Sequence, residues 1–129
     1  MILKYFNLSE FDSPDLIGSG ERMRASTLKK LEIARENSGL QFIVTSGYRT
    51  ESHNKKVGGV IDSSHILGYA VDLLTTTKNE KQIANSLVNA GFKRLGIGTG
   101  FIHVDDDPTK PTPAIWGYPL GTKPRFNPF

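Results

Sequence analysis

Six residues, Tyr69 to Leu74 (YAVDLL), set hard conditions on any fold this chain adopts. The run reads as a short buried strand, yet Asp72 stands among Ala70, Val71, Leu73 and Leu74. A carboxylate so flanked is expensive to bury unless a cation or hydrogen-bond donors meet it. The fold must deliver one or the other to the middle of this strand. His65 lies seven residues upstream, which on one straight strand is about 23 Å, too far for two ligands of one ion. Gly68 stands between them and lets the chain turn, leaving His65 on a loop and Asp72 in the strand that follows. Cysteine is absent. Disulfides, thiol nucleophiles and thiolate metal sites are therefore excluded, and histidines and carboxylates are the ligands left.

The 129 residues suit one compact domain, large enough to bury a core without staples. Residues 1–20 mix apolar and turn-forming residues and read as an irregular lead-in. From Glu21 the pattern turns helical, with Met23, Leu28, Leu31 and Ala34 near one face and Gly39 as a stop. Residues 40–46 (LQFIVTS) read as a buried strand, and residues 47–64 as a long polar loop of the kind that often carries function. After YAVDLL, Asn79 caps a helix whose apolar face holds Ile83, Leu87 and Ala90 and which ends at Gly91. Residues 92–98 and 100–106 read as two strands joined in a hairpin at Thr99-Gly100. From Pro108 onward the chain is rich in proline and is expected to run extended over the surface, carrying Trp116 and Tyr118 with it. The expectation is one α+β domain over residues 1–129: a small antiparallel sheet with flanking helices, a core at about 8–107 and a tail at 108–129.

Strand alternation puts His103 and Asp105 of "HVD" on the same face. Two imidazoles and a carboxylate make a three-ligand zinc shell that leaves a fourth position open for water, the arrangement of a catalytic rather than a structural site. The helical His-Glu-x-x-His pattern occurs nowhere. Taken singly, His65 also fits a hydrogen-bonded core residue, and the His103–Asp105 pair a simple hairpin contact.

Taken together the segments say more. "SSHILGYAVD" matches Ser-x-His-x-x-Gly-x-Ala-x-Asp at Ser63, His65, Gly68, Ala70 and Asp72, with "TSGYRTESHN" upstream and "GFIHVD" downstream. This ordered trio resembles the M15 family of zinc D-Ala-D-Ala carboxypeptidases and L-alanyl-D-glutamate endopeptidases, in the compact form found in phage endolysins and bacterial wall hydrolases. The resemblance runs from Leu8 to Asp105 and implies the fold shared by DD-peptidases and the hedgehog signalling domain. It implies one Zn2+ ion held by His65, Asp72 and His103, and makes Arg49 the residue that steadies a substrate carbonyl or carboxylate, a task its planar fork suits. One departure stands out. Many relatives carry Glu or Asp three residues before the last ligand as general base, and here that position is Gly100. Asp105 is the nearest substitute, as base or as a group orienting an imidazole, with base the favoured role. His53, Ser63, Trp116 and Tyr118 are further candidates for the substrate cleft.

The net charge of +3 selects no partner, and no basic run or aromatic-interleaved stripe points to nucleic acid. No segment has the apolar length for a membrane span or the pattern of a secretory signal. The expectation is a monomer made in the cytoplasm that reaches the wall or periplasm through phage lysis or on a phage particle. It would hydrolyse peptidoglycan stem or cross-link peptides. The alternative is a non-catalytic, zinc-containing module that binds wall or protein, such as a phage particle component.

Overall fold

A computed structural model describes residues 2–129. Two 3-10 turns, Leu8–Phe11 and Ser19–Arg22, precede helix α1 (Ala25–Ser38). Then follow β1 (Val44–Ser46), the short helix α2 (Glu51–Lys56), β2 (Ala70–Leu74), α3 (Glu80–Asn89), β3 (Arg94–Ile97), β4 (Phe101–Asp105) and β5 (Ala114–Gly117). The strands form one sheet in the order β1-β2-β4-β3-β5. The first four pair antiparallel, as expected. The fifth runs parallel to β3, with Gly96 opposite Trp116, so the sheet is mixed.

Alternation along the strands divides the sheet into two faces. Val71 and Leu73 of β2, Leu95 and Ile97 of β3, and Ile102 and Val104 of β4 are buried in a single core with Leu28, Leu31 and Ala34 of α1 and Ile83, Ala84 and Leu87 of α3. Burying each large aliphatic side chain contributes about 1.5–3 kcal/mol, which commits this face to the helices. The other face carries Asp72, Arg94, Gly96, His103, Asp105 and Trp116. One register therefore sets both the core and the chemistry.

Four local outcomes differ from the sequence expectations. Helix α1 begins at Ala25, not Glu21, because residues 18–22 are spent in a 3-10 turn whose Gly18 and Gly20 amides donate to Asp12. Its end is as expected, at a left-handed Gly39 (φ 68°). The strand expected over 40–46 shrinks to three residues on the sheet edge, and it is only partly covered. Residues 47–64 contain α2, whose first turn is capped by the Thr50 hydroxyl accepting from the His53 amide at 3.1 Å. The tail does not merely lie on the surface. It contributes β5 to the sheet and is then pinned by Arg125, whose guanidinium grips both carboxylate oxygens of Glu80 (2.7 and 2.9 Å) and the Gly98 carbonyl (2.9 Å). Bidentate Arg–carboxylate pairing adds direction as well as attraction.

Candidate metal centre

Gly68 makes the turn that the sequence demanded. Its φ is +82°, and an added Cβ would sit 2.3 Å from the Arg22 carbonyl oxygen. Only glycine fits such a left-handed, closely approached position. The turn folds the loop carrying His65 back over β2. Ser64 accepts the Tyr69 amide (3.1 Å), and the His65 carbonyl accepts the Arg49 amide (3.1 Å). Ser63 contributes through its hydroxyl, which accepts the His65 amide at 3.2 Å. Asp107, also buried, accepts the Ser64 hydroxyl at 2.8 Å and ties the loop to the end of β4.

His103 lies directly across from Asp72 in the β2–β4 register. His65 Nε2 approaches Asp72 Oδ1 at 3.2 Å, and His103 Nδ1 approaches the same oxygen at 3.1 Å. One ligand atom from each of His65, Asp72 and His103 lies within 4.8 Å of the others. The outer nitrogens are also committed. His65 Nδ1–H donates to the Gly47 carbonyl at 2.7 Å, and His103 Nε2–H donates to Asp105 Oδ2 at 2.7 Å. Such outer partners fix each imidazole's tautomer and aim the free nitrogen inward.

The protonation states fit a cation site. Burial pushes the His65 pKa down, against the pull of Asp72, and so keeps the ring neutral. With Nδ1–H given to Gly47, its Nε2 lone pair then faces a carboxylate oxygen at 3.2 Å. Two acceptors at that separation call for a positive charge between them. Burial works against the Asp72 anion, but His103 and then His65 outweigh it and hold the carboxyl well below the usual carboxylate range. Burial likewise opposes the His103 imidazolium, yet Asp105 and Asp72 together push its pKa up to about 9. With two imidazoles, one carboxylate and an open side toward a cleft, the donor set suits a divalent ion such as zinc.

A titration prediction follows. At pH 7 the ion-free protein carries a proton on His103 Nδ1, which an entering ion must displace. Uptake at pH 7 is expected to release about one proton per ion, and release should vanish above pH 9–10. Calorimetry in buffers of different ionisation enthalpy measures this; uptake without proton release would contradict the assignment. The sign for stability is the reverse of the carboxylate case. A pKa raised from 6.5 to about 9 stabilises the ion-free fold below pH 6.5, and this contribution is lost as pH rises through 9.

The cleft above this centre measures about 530 Å³ and is lined by Arg49, Ser63, His65, Asp72, His103, Trp116 and Tyr118 among others. Arg49 Nη2 meets Asp72 Oδ2 at 3.3 Å, and Ser46 and Asn54 hold its Nε and Nη1. The fork thus stands beside the ligands with a fixed orientation. His53 borders an adjoining groove that shares Arg49, Val57, Asp72 and Phe101 with the main cleft. Trp116 packs against His103 with ring centroids 5.5 Å apart, and Tyr118 against Phe101 at 5.0 Å. Both close over Gly96, where a Cβ would fall 2.5 Å from Trp116 Nε1 and 2.8 Å from Tyr118 Cε2.

Both carboxylate oxygens of Asp105 are engaged, the contacts of a group that orients an imidazole, the less favoured of its two expected roles. One oxygen accepts from His103; the other accepts Arg94 Nε at 2.8 Å and the Asp107 amide at 3.2 Å. At 1 % exposure it has no oxygen free for a substrate water. Arg94, Gly47, Asn54 and Asp107 were missed from the sequence. For Arg94 a signal existed, since a hairpin closed at Thr99-Gly100 puts it opposite Asp105. Replacing Asp105 with Asn is expected to weaken ion affinity about 10–100-fold, the usual cost of losing an outer partner. A base lost instead would leave ion affinity untouched, so competition against a chromogenic chelator separates the two.

A search of curated proteins found no match. The Peptidase M15 family model matches residues 5–105, from the segment before the first 3-10 turn to the last residue of β4, and so spans all the ligand-bearing elements. The chain belongs to the M15 peptidase family.

Proposed function

We propose that this M15 domain is a zinc-dependent hydrolase of peptide bonds in bacterial peptidoglycan, acting on stem or cross-link peptides as a carboxypeptidase or endolysin-type endopeptidase. The observation that carries the reading is the convergence of His65 Nε2, Asp72 and His103 Nδ1 on the cleft floor, with both outer nitrogens already taken. These three residues would hold the ion. Zinc so held supplies Lewis acidity, lowering the pKa of a water toward neutrality and polarising a carbonyl.

The chain's own residues do the rest. Asp105 holds His103 Nε2–H, and Arg94 holds Asp105, so the imidazole cannot rotate away from the ion. Arg49 offers its guanidinium edge beside the ligands, where it can bind a substrate carbonyl or terminal carboxylate. Trp116 and Tyr118 form an apolar wall that excludes water from one side of the peptide.

Mass analysis of muropeptide digests, with and without a chelator, tests this reading. We expect cleavage at one type of peptide bond, lost with chelation and restored by zinc. The sequestration of Asp105 and the glycine at position 100 favour one other reading, a zinc-holding wall-binding module. Such a protein would sediment with purified walls and leave every muropeptide mass unchanged.

A further inference from the structure

The wall contains an arrangement that its apolar role does not explain. Trp116 Nε1 is buried and meets no hydrogen-bond acceptor in good geometry. A buried, unpaired donor costs about 1–3 kcal/mol, so its placement calls for a reason. It lies beside the hydroxyl of Tyr118, whose phenol shares the cleft with Arg49, Asp72, His103 and Asp105. That hydroxyl forms no hydrogen bond with any other group among the described residues, whereas Arg49, Arg94 and Asp105 beside the ion ligands all have partners. Gly96 is what lets both rings descend to this level beside His103.

We propose that Tyr118 is a catalytic residue: its hydroxyl, beside the unpaired indole N–H of Trp116, donates a hydrogen bond to the oxyanion that forms when water adds to the scissile carbonyl. The inference rests on the peptidase reading and deepens it. No covalent bond to the protein forms or breaks. The water gives up one proton to solvent in the cleft as its oxygen bonds to the carbonyl carbon; the carbonyl π electrons move to oxygen, and the phenol keeps its own proton throughout. Burial raises the phenol pKa to about 12, with the indole opposing and the Asp72 and Asp105 charges reinforcing the rise. The group is therefore a donor, not an anion, at neutral pH. A donor aimed at developing charge in a site shielded from water is among the largest single contributions to catalysis.

Tyr118→Phe tests the proposal, because it keeps the ring against Phe101 and over Gly96 and removes only the hydroxyl. Two measurements are made on zinc-loaded protein with matched zinc content and circular dichroism. The first is hydrolysis of a muropeptide. We expect kcat to fall about 100-fold with KM little changed, the usual effect of losing one oxyanion donor. The second is calorimetric binding of a phosphinic pseudodipeptide, whose tetrahedral anion mimics the charged oxygen; its affinity should fall by a similar factor. Unchanged phosphinate affinity in the variant, with tight binding by the wild type, overturns the proposal and leaves the peptidase reading standing. A change in KM alone would make Tyr118 a binding wall and overturn it too. If the wild-type protein neither cleaves nor binds the phosphinate, the peptidase reading fails and the inference fails with it.

Discussion

Protein carrying Asp72→Ala is expected to retain no divalent ion through gel filtration and to cleave no muropeptide. Asp72 Oδ1 is the atom on which both imidazoles converge, at 3.1 and 3.2 Å. Its loss should cost well beyond the roughly 10–100-fold of an outer partner, because a ligand itself goes. The substitution also strips Arg49 of its carboxylate and leaves the His103 imidazolium with Asp105 alone. His103 is then expected to lose its extra proton more readily, which relieves the charge imbalance and lets the fold survive. His65→Ala should match it in ion loss, since the remaining pair cannot hold zinc in a three-ligand site. Elemental analysis and muropeptide turnover, with circular dichroism as the folding control, give the result. Ion content near one per chain in either variant would refute the ligand assignment.

The second large effect comes from a residue that touches neither ion nor substrate. Gly68→Ala forces a side chain into a backbone at φ +82° and drives its Cβ to 2.3 Å from the Arg22 carbonyl oxygen. The left-handed conformation alone costs about 1–2 kcal/mol, and the contact is with backbone, which cannot rotate aside. A total loss on the order of 3 kcal/mol or more is expected, placing the change among the severe strain class of substitutions. The Gly68 carbonyl also accepts the Arg24 amide at 2.9 Å, so relaxing the turn disturbs the start of α1. Denaturant melts measure the stability and chelator competition the ion affinity; both should fall together. A variant with unaltered midpoint and affinity would show that the turn tolerates a Cβ and that His65 is held by other means.

The ligand geometry was legible because it depends on patterns of short range. Asp72 inside an apolar strand, a glycine between it and His65, and a hairpin closed at Thr99-Gly100 fix two strands whose register puts His103 opposite Asp72. What strand alternation leaves out is pairing across strands. Asp105 looked like a base because alternation places it beside His103, but alternation says nothing of Arg94, which claims its second oxygen from the neighbouring strand. The α2 helix hid within a polar stretch whose only local signal is the Thr50 cap, since six residues are too few to show an amphipathic period. The strand β5 hid for a different reason. Prolines on both sides mark an extended chain, and extended chain becomes strand only when a free sheet edge is available to receive it.

That late strand carries an implication for how such a domain can diversify. The residues expected to grip the ion sit on the sheet's two central strands and the loop folded onto them. Trp116 sits on a rim strand that joins by four residue pairs, with Tyr118 just past its end, and both lie outside the matched span of 5–105. Exchanging residues 108–129 would therefore replace the cleft wall, and with it the oxyanion donor proposed at Tyr118, while the three expected ligands stay on their own strands and loop. The one constraint on a graft is set by Gly96: any replacement wall that settles as deeply needs a bare backbone beneath it.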